Sequence, residues 1–374
     1  MTTYIEIHAL QNMPPSNVNR DDSGAPKSAR YGGVQRSRVS SQSWKKAMRD
    51  DFNQRLDPKD VGTRSRMLVS QIAEAITAER QDLAERAESL AVNAMEAAGF
   101  KKPVPQTRGK AKEGAPETGY LVFMSQRQID ALAHAAVTAS AGPDPLADMK
   151  AAKVKDLVDA DHSIDIALFG RMVADSTDLN VDAACQVAHA LSVHEAIPEY
   201  DFYTAVDDVK ARNDEADDSG AGMMGTVGFV SSTLYRYAAL NVDQLRINLG
   251  NGEAVRIAID AFLHSFIQSM PTGKQNTFAN STRPTAVLVT VATGQPTSLV
   301  GAFERPVDPQ DGFMRPAVAA LAAHAREVFE AWRKPELSLV QGLSSAIEPL
   351  TEVAEVVDVN ELVNRSAAKA LGMP

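Results

Sequence analysis

Eight basic residues lie within one short stretch near the N-terminus, and basic side chains at this density are typical of a surface that binds a polyanion. This basic stretch, residues 20–49, holds only two acidic residues, Asp21 and Asp22. Because the chain has a formal net charge of −10 and the stretch contributes +6, the remainder carries −16. The pattern predicts phosphate contacts confined to one surface, and the alternative is an ordinary solvated basic face. The basic residues are Arg20, Lys27, Arg30, Arg36, Arg38, Lys45, Lys46 and Arg49.

A loop, a strand and a helix must hold these side chains. Glycines and a proline between residues 24 and 33 predict the loop. Arg36 and Arg38 are two apart and fall on one face of a strand over Val34–Ser40. Ser40 or Ser41 is expected to cap a helix starting near Gln42, and helix N-termini bind phosphate well.

The predicted helix is amphipathic. Lys45 and Arg49 lie one turn apart on one face, where both could reach a phosphate backbone. A second face is apolar and is expected to be buried. Its residues are Trp44, Met48 and Phe52.

Composition excludes several classes of protein. A chain of 374 residues with 44% hydrophobic content can bury a large core. Its single cysteine, Cys185, excludes an intrachain disulfide and a cysteine-based zinc site, and this favours a reducing cytoplasm. The N-terminal residues lack the pattern of a signal peptide, and no apolar run is long enough to span a membrane.

The order of elements predicts an α+β protein with a split βαβ, ferredoxin-like sheet. Tyr4–Leu10 alternates as a half-buried strand, and an Ala-rich, mainly helical block extends to about residue 180. Val181–His194 is predicted to be a helix. Tyr200–Val209 and Val227–Leu240 are strand-like, and Thr285–Thr293 is typical of a central strand buried on both faces.

A protrusion is predicted between the two strand-like segments. Lys210–Thr226 is rich in glycine and ends near two apolar residues, Met223 and Met224. A polar tip seldom leaves two methionines without a partner, so we expect one to contact them. The alternative is that the tip folds back onto its own domain.

No arrangement of residues predicts catalysis, a metal or a cofactor. His189 and His194 are five apart, so on a helix they would not share a metal ion. Asp207 and Asp208 fall on opposite faces of a strand, which disfavours a Mg²⁺ site between them. No phosphate-binding glycine motif or nucleophile motif occurs.

Several long sequence words resemble the backbone subunit of the type I-E CRISPR surveillance complex Cascade, the CasC-like family. The similarity extends in order over almost the whole chain. The matching words are NRDD at 19–22, GG at 32–33, SRVSSQSWKKAMR at 37–49, DIALFGRM at 165–172, DFYTAVDD at 201–208, LYRYAALNVDQL at 234–245 and TGKQNTFA at 272–279.

The resemblance implies a hand-shaped RNA-binding protein without catalytic activity. Its RNA-recognition-type palm would comprise residues 1–57, 181–199 and 231–374, with helical fingers at 58–180 and a thumb at 200–230. Copies would stack along one CRISPR RNA and leave its bases free to pair with target DNA in antiviral defence. Its other partners would be the large, small and guide-end-capping subunits of Cascade.

The resemblance also implies which residues contact the guide RNA. Basic and hydroxyl or amide side chains of the palm would hold its phosphates without reading sequence. Met172 matches a wedge that kinks the RNA, Met224 the thumb position that meets it, and Phe202 with Thr204 the pair that holds the displaced nucleotide. The palm residues are Arg20, Lys27, Ser40, Gln42, Lys45 and Arg49.

The sequence also leaves open an alternative function and contains a second basic segment. The alternative function is a Mg-dependent RNA-processing nuclease on the same palm, in which Asp21 or Asp22 would act. The loop at 101–119, with Lys101, Lys102, Arg108, Lys110 and Lys112, is expected to touch DNA non-specifically. The acidic thumb tip (Asp214, Glu215, Asp217 and Asp218) departs from a phosphate-binding surface.

Overall fold

The first strand lies inside the main sheet, with a neighbouring strand on each side. The computed structural model describes residues 1–105, 115–174, 176–205, 223–250, 252–309 and 311–373. Strand β1 (Thr3–Ser16) pairs antiparallel with β12 (Ala286–Thr293), so that Ile5 faces Val291 across the ladder. The predicted half-buried strand is wrong in one respect, because Glu6 and His8 on its second face are also buried.

The described residues contain fourteen strands. One mixed sheet has ten of them, in the order β14-β13-β12-β1-β11-β9-β3-β2, while β10 and β8 pair with β11 outside this path. Small sheets join β4 to β7 and β5 to β6. The strands not yet given are β2 (Ser28–Tyr31), β3 (Val34–Val39), β4 (Gly62–Ser65), β5 (Val104–Pro105), β6 (Pro116–Glu117), β7 (Val122–Ser125), β8 (Cys185–Val187), β9 (Ala190–Ser192), β10 (Glu199–Ala205), β11 (Met223–Asn241), β13 (Leu337–Gly342) and β14 (Glu355–Val356).

Twelve α-helices occur in the same described ranges, together with short 3₁₀ turns. None of these helices has the length and apolar content needed to cross a membrane. The helices are α1 (Ser41–Arg55), α2 (Leu68–Glu79), α3 (Ala87–Ala97), α4 (Gln126–Ala139), α5 (Pro145–Ala151), α6 (Ile164–Phe169), α7 (Val242–Leu249), α8 (Gly252–Gln268), α9 (Gln275–Phe278), α10 (Met314–Ala331), α11 (Ser344–Ile347) and α12 (Val359–Leu371).

The chain forms two compact units. The first comprises Met1–Met48, Val187–Ala239 and Phe262–Pro374. In its core, the apolar face of α10 packs on side chains of the sheet such as Leu10, Tyr235 and Leu288. This burial of one helix face on one sheet face explains the amphipathic pattern of α10.

The second unit comprises Arg49–Gln186 and Leu240–Ala261. Its core is formed mainly by α2, α3 and α4, whose leucines and isoleucines are almost fully buried alongside many alanines. Small alanine side chains let these helices approach closely. Gly99 follows α3 with a positive φ of 94°, as is common for a glycine after a helix C-terminus.

The predicted α+β class is confirmed, but the predicted helix at Val181–His194 is wrong. The segment instead forms strands β8 and β9, and Cys185 is buried on β8. Its alanines favour a helix, but pairing with β11 and β3 overrides that weak local preference. The sequence analysis also did not predict β13, which pairs antiparallel with β12.

Candidate nucleic-acid interface

Asn19 organises the start of the basic stretch. Its side-chain oxygen accepts a hydrogen bond from the Ser40 amide at 2.8 Å, and its backbone carbonyl accepts one from the Lys27 amide at 2.9 Å. The carbonyl of Lys27 in turn accepts from the Arg38 amide at 2.9 Å. These bonds bring the loop that carries Arg20 and Lys27 against the end of β3 and the beginning of α1.

Asp21 shapes the same loop instead of facing a ligand. One of its carboxylate oxygens accepts hydrogen bonds from the Ser23 hydroxyl at 2.7 Å and from the amides of Ser23 and Ala25 at 3.0 Å each. The Ser23 hydroxyl and these amides hold the pKa of Asp21 below its usual range. Across the described ranges, no group of three or more His, Cys, Asp or Glu side chains is placed to hold a metal ion.

Helix α1 begins where the capping pattern predicts. The Ser43 amide lies 3.4 Å from the Ser40 hydroxyl, and Ser40 itself is buried. Gln42 is exposed and Lys45 is half-buried. The predicted apolar face of the helix is confirmed, because its residues are all buried. They are Trp44, Met48 and Phe52.

Arg36 is a buried structural residue. Its guanidinium donates to the carbonyls of Ser192 and Phe303, both at 2.9 Å, and to that of Tyr31 at 3.1 Å. Because Arg36 is fully buried and its donors are occupied, it is not available to a ligand in solution. The basic surface therefore carries one cation fewer than the sequence indicates.

Arg49 is held by a buried carboxylate of the second unit. Its Nε donates to Asp165 at 2.9 Å, its Nη2 donates to the Gly62 carbonyl at 3.1 Å, and its guanidinium stacks 4.4 Å from the Phe123 ring centre. Part of the guanidinium is thereby engaged within the protein, and the phosphate contact of Arg49 stays a prediction.

The two thumb strands form an exposed antiparallel ribbon. Thr204 lies opposite Met224, and Tyr203 lies opposite Gly225. Since directly opposed residues share a face, Met224 shares a face with Phe202 and Thr204. Phe202 and Met224 are 62% and 64% exposed, so both present apolar side chains to solvent on this face.

The register also separates the two methionines, because Met223 lies opposite Ala205 on the other face of the ribbon. The predicted acidic thumb tip and the aspartates at 207 and 208 lie outside the described residues. The same holds for Arg108, Lys110 and Lys112 of the loop at 101–119. Lys101 and Lys102 are described and exposed.

Met172 projects from a rigid support in the second unit. It is 82% exposed, although its neighbours Arg171 and Val173 are buried. The Arg171 guanidinium donates to the carbonyls of Leu179 at 2.8 Å and Val158 at 3.0 Å, and its backbone pairs with Val181. An apolar side chain held in this way is suited to act as a wedge.

Two asparagines that position the interface were missed in the sequence analysis. Asn17 is buried and donates to the Gly24 carbonyl at 3.0 Å and to the Gly228 carbonyl of β11 at 2.8 Å. Asn19 plays the bridging part described above. The only sequence signal is a pair of alternating asparagines at a strand end, which also occurs in ordinary turns.

The comparisons with known proteins agree with one another. A chain of a solved structure described as "CRISPR RNA-guided surveillance complex, pre-nicking" is 33% identical, with a TM-score of 0.84 over 97% of this chain and 100% of that one. A chain of a second structure, described as "CRISPR RNA-guided surveillance complex", is 28% identical, with a TM-score of 0.74 over 97% of this chain and 99% of that one. No curated protein matches the sequence.

These likenesses confirm the predicted resemblance to a Cascade subunit. The similarity covers both compact units, so it extends well beyond the basic stretch. A family model described as CT1975-like protein matches residues 5–365. The chain therefore belongs to the family of CT1975-like proteins.

Proposed function

We propose that this protein is a non-catalytic backbone subunit of a CRISPR surveillance complex, and that copies of it assemble in a helical filament along CRISPR RNA. The main support is the 97% coverage at a TM-score of 0.84 against a chain of an RNA-guided surveillance complex. The exposed basic loop around Asn19 supplies a matching chemistry, because cationic side chains neutralise phosphates irrespective of sequence.

In this proposal the chain is divided as a hand. Residues 1–57, 181–199 and 231–374 act as a ferredoxin-like palm of the RNA-recognition type. Residues 58–180 act as fingers and residues 200–230 as a thumb. The protein works in the cytoplasm, in antiviral defence, alongside the large, small and guide-end-capping subunits.

The palm residues hold guide phosphates. Arg20 and Lys27 supply charge from the loop, and Lys45 supplies it from α1, while Gln42 adds a hydrogen bond from an exposed position. Ser40 contributes through its place at the helix start. Protein contacts to the backbone leave the bases free, so pairing with target DNA carries the sequence information.

The thumb and the wedge kink the guide at regular intervals. Phe202, Thr204 and Met224 share the exposed ribbon face on which a displaced nucleotide stacks. Met172 inserts between neighbouring bases and unstacks them. Met172→Ala should therefore disturb the periodic protection of bound RNA from nucleases with little loss of affinity. An unchanged footprint would contradict the wedge.

Co-expression with a CRISPR repeat–spacer transcript tests the assembly. The purified protein should carry a short RNA of uniform length, with several copies per RNA by light scattering. The double variant Arg20→Glu, Lys27→Glu should lose the RNA, whereas Arg305→Glu, which changes an exposed arginine outside the basic stretch, should keep it. Recovery of wild-type protein free of nucleic acid would sink the proposal.

A further inference from the structure

Arg38 on strand β3 forms a pair with His189, which directly precedes the neighbouring strand β9. Arg38 Nη1 lies 3.1 Å from His189 Nδ1, and Arg38 Nε donates to the Ser28 carbonyl at 3.2 Å. A guanidinium can only donate, so Nδ1 must be the accepting nitrogen of a neutral ring. The proton of the exposed imidazole therefore resides on Nε2, which can donate a hydrogen bond to a ligand.

Lys27 adds a third donor at this place. Its carbonyl accepts from the Arg38 amide at 2.9 Å, and both residues line one small surface cleft together with Asn19 and Ser232. Partial loss of hydration, then the charges of Arg38 and Lys27, lower the pKa of His189. Both cations thus lie close enough to act on the ring electrostatically.

This cluster carries hydrogen-bond donors and positive charge, and it has few hydrogen-bond acceptors. Within the described ranges, no carboxylate pairs with Lys27 or Arg38. The carbonyl of Ser28 already accepts from Arg38 Nε, and the carbonyl of Lys27 accepts from the Arg38 amide. Two cations beside an exposed donor favour an anionic group, and the two anionic oxygens of a phosphodiester accept hydrogen bonds from donors alone.

We propose that Lys27, Arg38 and His189 bind one phosphodiester group of the guide RNA, with His189 donating through Nε2. This site deepens the proposed function and rests on it. It adds two residues, Arg38 and His189, to the phosphate-binding surface. The neutral imidazole supplies direction, because its donor is fixed by the bond to Arg38, while the two cations supply attraction.

Two substitutions of His189 separate direct contact from positioning. The glutamine amide places a donor near the position of Nε2, whereas the asparagine amide reaches only the position of Nδ1. The measurement is the affinity of the full-length protein for a fluorescein-labelled oligouridylate, with oligothymidylate in parallel. His189→Gln should bind RNA within about twofold of wild type, and His189→Asn about tenfold more weakly.

Arg38→Gln and Arg30→Gln form a matched pair of charge changes. Arg30 lies on the same hairpin, but its guanidinium donates to the Gly33 carbonyl at the turn. Arg38→Gln should weaken RNA binding about tenfold and reduce the salt dependence by about 0.7 in log–log slope. Arg30→Gln should keep both within about twofold of wild type. Equal losses in the two variants would mean that only overall charge matters, and would overturn the site.

Other results also decide the matter. If Asn is tolerated and Gln is not, His189 only positions Arg38, and the direct contact is wrong. A loss confined to oligothymidylate would assign the phosphate to DNA and overturn the guide contact. Unchanged binding in all His189 and Arg38 variants would remove this site alone, whereas wild-type protein that binds no RNA would remove the proposed function as well.

Discussion

The arginine side chains of this protein differ in their burial and in the groups that they contact. Arg171 and Arg236 are buried, and burial lowers the pKa of the first to about 10 and of the second to about 9. The Arg236 guanidinium is compensated by the faces of Trp44 at 3.7 Å and Phe266 at 4.4 Å. Arg20, in contrast, is exposed on the loop. A basic residue counts as a candidate for RNA only after its burial and partners are known.

His8 is a buried histidine that makes the fold sensitive to acid. Its Nδ1 lies 2.8 Å from the Tyr235 hydroxyl, and burial lowers its pKa from 6.5 to about 3. Below pH 6.5 His8 therefore becomes protonated in the unfolded chain, whereas in the folded chain it is protonated only at about pH 3. Stability from this residue is full above pH 6.5 and falls by up to about 1.4 kcal/mol per pH unit below it.

His8→Asn should flatten that dependence, because asparagine keeps an acceptor near the position of Nδ1 for Tyr235 and does not titrate. The measurement is denaturant unfolding at pH 7 and pH 5, followed by Trp fluorescence. Wild type should lose more stability than the variant between the two values. Equal losses would show that His8 does not carry the acid sensitivity.

At the scale of elements, the basic loop depends on a tie to strand β11. Asn17 makes that tie through its hydrogen bonds to Gly24 and Gly228. Asn17→Ala leaves the buried Gly228 carbonyl and the Gly24 carbonyl without their donor, which should cost about 1–3 kcal/mol and raise hydrogen exchange at the Gly24 and Ala25 amides. The exposed Asn276 provides a matched control, since Asn276→Ala should change neither. Unchanged exchange in Asn17→Ala would contradict the tie.

The wedge segment is expected to separate stability from RNA binding. Arg171→Met removes the donors that bind the carbonyls of Leu179 and Val158, so the free energy of unfolding should fall by about 1–3 kcal/mol. Met172→Ala changes an exposed side chain and should alter stability by less than about 0.5 kcal/mol. Comparable losses in both variants would show that Met172 is part of the core.

At the scale of the whole molecule, an acidic protein is proposed to bind an acidic polymer. The formal net charge of −10 disfavours a general coat of RNA. Only the local surface of Arg20, Lys27, Arg38 and Lys45 should release counterions. The log–log dependence of RNA affinity on salt should then have a slope of about −3 per bound copy, at about −0.7 for each phosphate contact.

Titration of oligouridylate at several salt concentrations measures this slope. A slope near zero would mean that these cations do not contact phosphate. A slope twice as steep would mean that the track is larger than these four residues.

Local patterns in the sequence sufficed for the elements whose partners are neighbours in the chain. Helix α1, with its cap at Ser40 and its buried face of Trp44, Met48 and Phe52, is correctly predicted, since 3.6-residue periodicity is a local property. The sequence motifs that include Asn19, Asp201 and Thr272 were likewise enough to recognise the family.

Only the tertiary structure decided which members of the basic stretch stay available for RNA. In the sequence, Arg36 and Arg49 cannot be distinguished from their basic neighbours. In the structure, Arg36 donates to the carbonyls of Ser192 and Phe303, and Arg49 is paired with the carboxylate of Asp165. The strands at 185–192 and the partnership of Arg38 with His189 were likewise not predicted. The partners of these arginines are more than 100 positions away, as is the pairing of β9 with β3, and such distant pairing leaves no periodic trace in the chain.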